Sequence, residues 1–512
     1  MKKIKIYLVI ALSFTGFISC NNWLTLYPDN AQTTAQYWQS KQDVESVTAA
    51  GYVQLRECIK DQSLFIWGEM RGECIDIVNS TANDNIKAAQ KIRNEDIDPT
   101  NMYASWANLY KVIGMANSVL KYAPSVREVD PSFSLEEMNG YFSEVYFLRA
   151  LAYFYLVRIY KEVPLILEPY VEDTKPVQIA KSDEATIINQ IILDLKAAIP
   201  SAKTFYPETD DTNPMNTKGR ATIWSIYALL ADVYLWRGDD TQNDYQSCID
   251  ACNRIMNSGT QFRLVTKDEW YSIFYPGNSD ESIFEVQFNY TKNKQTNDFI
   301  TWFGGKAAQA GQLYGISLSA ELLFNETALM GDVRGFGASY DGLGRIWKYL
   351  GYNFTSIEPA VRNATTENDQ NFIIYRLADI YLMQAEAYIM KGDFVSATNL
   401  IAQIRQRAGI IEMLTPPQNE SDMLDLLLNE RAREFLGEGK RWFDLLRVAR
   451  RHDYQYKEYM IDHVLEAISP GYLSIARAKL ADPNAHYLPI YKDEIVANKL
   501  LVQNPYYATF GN

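Results

Sequence analysis

Apolar residues recur at i, i+3, i+4 and i+7 through positions 141–160, 221–237, 245–256, 373–390 and 394–408 of the 512-residue chain. That spacing puts them on one face of a 3.6-residue helix and predicts an α-helical framework. Two of the helices share a pattern. Ala231 to Asp239 (ADVYLWRGD) and Ala385 to Asp393 (AEAYIMKGD) each end in Gly-Asp, and a second amphipathic stretch follows from Tyr245 and from Phe394. A small Ala where helices touch, a large Tyr three positions on and a Gly that ends the helix are features of tetratricopeptide-type hairpins. Ala150-Leu151-Ala152-Tyr153 and the stretch from Trp106 to Leu120 suggest two further copies. Long segments separate the copies, so the expected fold class is mainly α: a tetratricopeptide-like hairpin scaffold decorated by insertions, not a tandem array.

The helical period fades between about 258 and 370, where Gly, Asn, Ser and aromatics dominate. Within it, Ser282 to Phe288 alternates like a strand, whereas 331–337 and 341–344 read as loop. Irregular segments held on a rigid scaffold commonly carry function. The expected organisation is a signal segment at 1–19 and one domain over 20–512. That domain has scaffold segments at 33–257 and 371–451, a large, irregular, partly β ligand-binding insertion at about 258–370, and a closing segment at 452–512.

The first twenty residues change the picture from a free protein to a tethered one. Lys2, Lys3 and Lys5 precede an apolar run over 6–14 that is far shorter than the ~20 residues needed to span a bilayer, as in a secretion signal. It ends in Phe17-Ile18-Ser19-Cys20, a small residue directly before a cysteine, as at bacterial lipoprotein cleavage sites. Lipidation of Cys20 is the expectation. Of the other cysteines, Cys58 and Cys74 could pair in an oxidising exterior, and Cys248 and Cys252 are badly oriented for bridging on one helix. Buried thiols are the commoner reading for both pairs.

Charge and composition then remove whole classes of function. Lys+Arg is 49 against Asp+Glu 63, a net of −14, which leaves no broad basic surface for nucleic acid. Three histidines and five scattered cysteines make a transition-metal site or other bound cofactor a poor expectation. No nucleophile elbow, P-loop, H-E-x-x-H helix or dinucleotide glycine motif occurs, so no catalytic residue is assigned. Aromatics are abundant instead, with 10 Trp, 22 Phe and 35 Tyr, a stock suited to stacking.

Three blocks from Asn371 onwards make the chain resemble the SusD/RagB family of Bacteroidetes outer-membrane lipoproteins. They are Tyr375 to Ala387 with Gly392-Asp393 and Ile404 to Gly409; Asn429 to Phe435 with Gly437 to Arg447; and Leu488 to Tyr491 with Gln503 to Tyr507. At the other end, Trp23-Leu24, Pro28, Thr33 and Trp38 after Cys20 agree with family members. The resemblance implies a non-enzymatic, surface-exposed protein held in the outer membrane by its lipid. It implies nutrient capture, a glycan in most relatives and a peptide in some RagB-like ones, and delivery to a SusC-like TonB-dependent transporter. A helical scaffold that binds only proteins is a third reading. In the three blocks the charged residues read as structure. Arg376, Glu386, Arg405, Glu430, Arg431, Arg433, Glu434, Arg441 and Asp444 are expected to form helix-to-helix ion pairs and caps, and the Glu430/Glu434 pair is not an acid/base pair.

A glycan site needs rings as platforms for sugar C–H faces, with amides, carboxylates or Arg around them. Candidates in the insertion are Tyr275, Tyr290, Trp302, Phe303 and Tyr314, with Asn289, Asn297, Asp298 and Gln312 as polar partners. Trp302-Phe303 before Gly304-Gly305 stands in a polar, aperiodic stretch and is favoured for ligand contact. Trp67 and Arg71 are added because the comparable early segment of relatives approaches the ligand face. Trp106, Trp224, Trp236 and Trp442 sit in helical patterns and are expected to pack.

Overall fold

Polar caps set where the helices start. Ser134 and Glu137 close a capping box on the helix Leu135–Tyr160 and Thr222 with Ser225 does so on the helix Ile223–Arg237, satisfying amides that have no partner inside the first turn. Gly238 ends the second of these helices at φ 55, in the left-handed conformation that favours glycine. The structure, a computed structural model, describes residues 37–80, 82–170, 178–208, 214–259, 261–304, 311–355 and 360–511; the signal segment and Cys20 lie outside the described residues.

In chain order the main elements are α1 (Lys41–Lys60), α2 (Ser63–Glu69), β1 (Ile75–Ile77), α3 (Ala107–Val129), α4 (Leu135–Tyr160), α5 (Glu184–Ala198), α6 (Ile223–Arg237), α7 (Asp244–Met256), β2 (Ser282–Val286), α8 (Phe299–Phe303), β3 (Tyr314–Ile316), α9 (Leu318–Ala328), β4 (Phe372–Arg376), α10 (Leu377–Met390), α11 (Phe394–Arg407), α12 (Glu420–Phe435) and α13 (Arg441–Ala449). The fold is mainly α. Helix α1 packs on α3, α3 on α4, α4 on α5, α5 on α6, α6 on α7, α7 on α10 and α10 on α11. Hairpin copies that are far apart in sequence thus stack side by side in space.

The insertion is tied down at two places. β2 pairs antiparallel with β4, from Ser282 opposite Arg376 to Val286 opposite Phe372, and β3 pairs antiparallel with β1, from Ile75 opposite Ile316 to Ile77 opposite Tyr314. It also contains an eleven-residue helix, α9, capped by Ser317, within a stretch expected to be irregular. One large apolar core takes in scaffold residues such as Leu229 and Ile380 and insertion residues such as Phe299 and Ile346. Cys58, Cys74, Cys248 and Cys252 are all buried and free.

The charged residues of the carboxy-terminal blocks form buried ion pairs, as expected. Arg376, fully buried on β4, reaches Glu281, Glu434 and Glu438; Arg334 reaches Asp332, Glu430 and Glu434; and Arg407 meets Glu281 and Glu434. Burial alone would raise the Glu434 pKa, but Arg407, Arg376 and Arg334 hold its carboxyl below the usual carboxylate range. Arg431 joins Asp379 and Asp444, and Arg447 joins Glu386 and Asp444. These pairs lock α10, α12 and α13 together.

Glu69 stands outside this pairing. Its Oε1 accepts from the amides of Gly439 (2.7 Å) and Lys440 (3.2 Å), while its buried Oε2 has no partner. Gly68 beside it lies so close to the Gly439 carbonyl that an added Cβ would sit 1.9 Å from that oxygen, so no larger residue fits. Burial pushes the Glu69 carboxyl up to about 8, against the pull of those two amides. The folded chain therefore keeps a proton that the unfolded chain gives up above pH ~4.3, and stability falls as pH rises towards 8. Buried His486, pushed down to about 4, acts in the opposite direction, but only between there and pH ~6.5. Buried Lys218 and Lys479, pushed down to about 8, oppose the fall only as pH nears 8, so wild type is expected to lose stability from pH 6.5 to 8, and Glu69→Gln to flatten that decline. Urea unfolding at the two pH values measures it, and an equal slope in both proteins would refute the assignment.

Candidate functional site

Five of the seven ring and arginine candidates prove to be core residues. Trp302 is 2% exposed, Phe303 1%, Tyr314 0%, Trp67 4% and Arg71 3%. The polar, glycine-flanked setting of Trp302 suggested a loop, yet it lies on the short helix α8, 5.0 Å from the Phe299 ring and 6.1 Å from that of Phe65. Phe303 stacks on Tyr349 at 4.9 Å, and the Tyr314 hydroxyl donates to Gln62 Oε1 at 2.7 Å. Trp67 donates from Nε1 to the Tyr103 carbonyl at 2.8 Å. Arg71 pairs with Glu95 at 2.6 and 2.8 Å, donates to the Ala485 and His486 carbonyls, and lies 3.9 Å over the Trp442 ring. The cause is tertiary: pairing of β3 with β1 draws the insertion's rings inwards onto α2. Trp106, Trp236 and Trp442 are buried as expected, and Trp224 is half-buried. Asn297 is a buried structural amide, bonded to the Gln370 carbonyl, whereas Asn289, Asp298 and Gln312 reach the surface to differing degrees.

Tyr275 and Tyr290 remain at the surface, half-buried, and the structure brings Tyr275 together with a residue that sequence reasoning missed. Thr266 and Glu269 cap the 3-10 turn Lys267–Ile273, from which the chain leads to Tyr275. The Tyr275 ring stands edge-on to that of Tyr352 at 5.4 Å and 86°. Tyr352 is 38% exposed and donates from its hydroxyl to Glu367 Oε2 at 2.6 Å. That hydroxyl and the Asn363 amide hold the Glu367 carboxyl below its usual range, so it stays an ionised acceptor. Beneath the pair, buried Arg362 lies 4.9 Å from the Tyr275 ring centroid and donates to the Tyr349 carbonyl at 2.8 Å, fixing the ring from behind. Asp369 accepts from the Tyr290 amide at 2.9 Å, and Lys294 Nζ sits 4.3 Å over the Tyr290 ring.

A further exposed ring, Phe336, is 70% accessible and edge-on to Tyr340 at 6.0 Å. Its loop joins the Tyr352 segment where the Thr355 amide donates to the Gly337 carbonyl at 2.7 Å. The flanking Gly335 and Gly337 are the signal that could have marked it, and Gly351 directly before Tyr352 is the same kind of signal. What this face can offer a ligand is ring surfaces, hydroxyls and carboxylates held by a rigid frame. Among the described residues no group of three or more His, Cys, Asp or Glu could hold a metal ion, and no helix is long and apolar enough to cross a membrane.

Comparison with known proteins matches both halves of the chain. The profile of the SusD family matches residues 345–507, and that described as "Starch-binding associating with outer membrane" matches residues 22–235. SusD-like protein P38 of Formosa agariphila is 24% identical over 87% of this chain and 91% of its own. A SusD-like protein of Bacteroides ovatus is 24% identical over 94% and 88%. Among solved structures, a SusD superfamily protein of Bacteroides thetaiotaomicron superposes with a TM-score of 0.70 at 22% identity, covering 92% of this chain and 99% of its own. A laminarin-binding SusD-like protein does so with a TM-score of 0.67 at 22% identity, covering 91% and 99%.

Proposed function

The chain belongs to the SusD family, and from that membership we propose that it is a non-enzymatic, lipid-anchored surface protein that captures glycans and passes them to a SusC-like TonB-dependent transporter. The observation that carries the reading is the Tyr275–Tyr352 pair, held from behind by Arg362 and edged by Glu367. A sugar ring has an apolar C–H face and a rim of hydroxyls. An exposed tyrosine ring meets the first, and a carboxylate already orienting a hydroxyl meets the second. The laminarin-binding relative and the starch-binding family description support a glycan over other nutrients.

Tyr352→Ala is expected to weaken oligosaccharide binding roughly threefold to tenfold, the ~0.5–1.5 kcal/mol that an aromatic contact adds. The unfolding midpoint should hardly move, because the ring is exposed. Calorimetric titration with a panel of neutral polysaccharides, run beside the melt, decides it. Binding of peptides with no response to any glycan would replace this reading with the RagB-like one.

Anchoring is proposed at Cys20. A palmitate analogue is expected to label the wild type and not Cys20→Ala, and a tagged wild-type chain extracted in mild detergent should carry a TonB-dependent barrel with it. Equal labelling of the variant, or extraction without the barrel, counts against the anchor and the partner respectively.

A further inference from the structure

A cleft of about 290 Å³ opens between α1, from Glu45 to Arg56, the turn Met215–Gly219 and β2. Arg56 lines it and is half-buried. Among the described residues its guanidinium has no hydrogen-bond or ion-pair partner; its one ring approach is a distant one to Phe288, 6.0 Å from the centroid. The charges around it are accounted for. Glu57, its neighbour, is taken by Lys60 at 3.1 Å, and Arg220 across the cleft is held by Glu144 at 2.7 and 2.9 Å. Glu45 lines the far end, three helical turns or roughly 16 Å along α1. Every other arginine named so far has carboxylate or carbonyl partners, so Arg56 is a planar donor fork left facing an open cavity.

From this geometry we infer that the cleft is a second binding site, for a sugar ring carrying a carboxylate, a hexuronate. Four features select that class. A guanidinium fork matches a planar carboxylate with two parallel hydrogen bonds. The volume lies at the lower end of small-molecule pockets, room for one ring. Phe284 and Val286 supply an apolar wall for a C–H face, and Gln295 supplies an amide for hydroxyls. A single arginine without a partner among the described residues, with the only other lining cation, Arg220, already neutralised by Glu144, suits one negative charge and disfavours a doubly charged phosphate. The chain's net charge of −14 opposes any anion at long range, but that field is screened beyond about 8 Å at physiological ionic strength, so the contact with Arg56 decides.

The cleft also adjoins the tyrosine face. Gln287, on the cleft wall, donates to Asn278 Oδ1 at 2.7 Å in the turn that follows Tyr275. If glycans bind at Tyr275 and Tyr352, the cleft would take an acidic unit of the same chain; as a site for a single uronate it stands without that reading.

The test is titration of the mature full-length chain with D-glucuronate and D-galacturonate against D-glucose, D-galactose and acetate. The uronates are expected to bind at least tenfold more tightly than the neutral sugars and than acetate. Arg56→Gln should bring them down to the neutral-sugar level, a loss of roughly tenfold to a hundredfold for a charge-assisted pair. Arg56→Lys should retain part of the affinity. Because Arg56 has no hydrogen-bond or ion-pair partner among the described residues, the melt of both variants should match wild type. Equal binding of acidic and neutral sugars, acetate binding as tightly as a uronate, or unchanged uronate affinity in Arg56→Gln would overturn the inference. Tyr352→Ala should leave monosaccharide uronate binding intact, so failure at the tyrosine face and failure at the cleft give different results.

Discussion

Trp302→Ala is expected to destabilise the protein by about 3–5 kcal/mol while leaving glycan affinity unchanged, because the indole fills the core between Phe65, Phe299 and Phe303. Truncation there removes a large ring from a close-packed cluster whose neighbours are held in place. The Trp302 carbonyl accepts from the Leu313 amide at 2.9 Å, just before β3, and Phe303 is stacked on Tyr349, so the site cannot collapse cheaply. Urea unfolding should show a lower midpoint at an unchanged slope. A variant that keeps its midpoint and loses sugar binding would put Trp302 back at the ligand. Comparison with Tyr352→Ala makes the contrast sharp: one substitution moves stability alone, the other moves affinity alone.

Arg376→Met is expected to cost a similar ~3–5 kcal/mol through a different mechanism. Arg376 is 0% exposed, and three carboxylates, Glu281, Glu434 and Glu438, depend on it. Methionine preserves much of the volume, so the loss is not a cavity but uncompensated negative charge in the interior. Lys348 and Arg407 still reach Glu438 and Glu434, which keeps the cost within that range. The remaining carboxylates should then take up protons more readily, so the variant's deficit relative to wild type should shrink as pH is lowered from 7 towards 5. The sign follows from linkage: Glu434 and Glu438 are held below their usual range in the wild type, and removing a cation raises them towards and beyond it. A deficit of less than 1 kcal/mol at pH 7, or one that grows on acidification, would contradict this account of the network.

The hairpin scaffold was legible because it is written in short-range periodicity. A stripe of apolar residues at helical spacing must find a covered face, and Gly after Arg237 or Lys391 must end the helix, whatever surrounds it. The ion pairs of α10, α12 and α13 were legible for a related reason: opposite charges crowded onto apolar helices can be buried only against one another. The binding face was not, because exposure is a property of what packs above a residue. Trp302 reads as a ring in a polar stretch and the resemblance puts Trp67 near the ligand face, yet the β1–β3 pairing draws the first inwards and Trp67 is buried where it donates to the Tyr103 carbonyl, while Tyr352 is left outside beside Tyr275. Arg56 sits on an amphipathic helix like many arginines; only the approach of β2 and of the Met215–Gly219 turn makes a cavity of its surroundings, where it has no hydrogen-bond or ion-pair partner among the described residues. Local sequence therefore determined which segments form helices and which charges must pair, through interactions spanning a turn or two of chain. Which rings and cations face solvent was decided by the tertiary structure alone, because contacts between segments hundreds of residues apart set the solvent boundary.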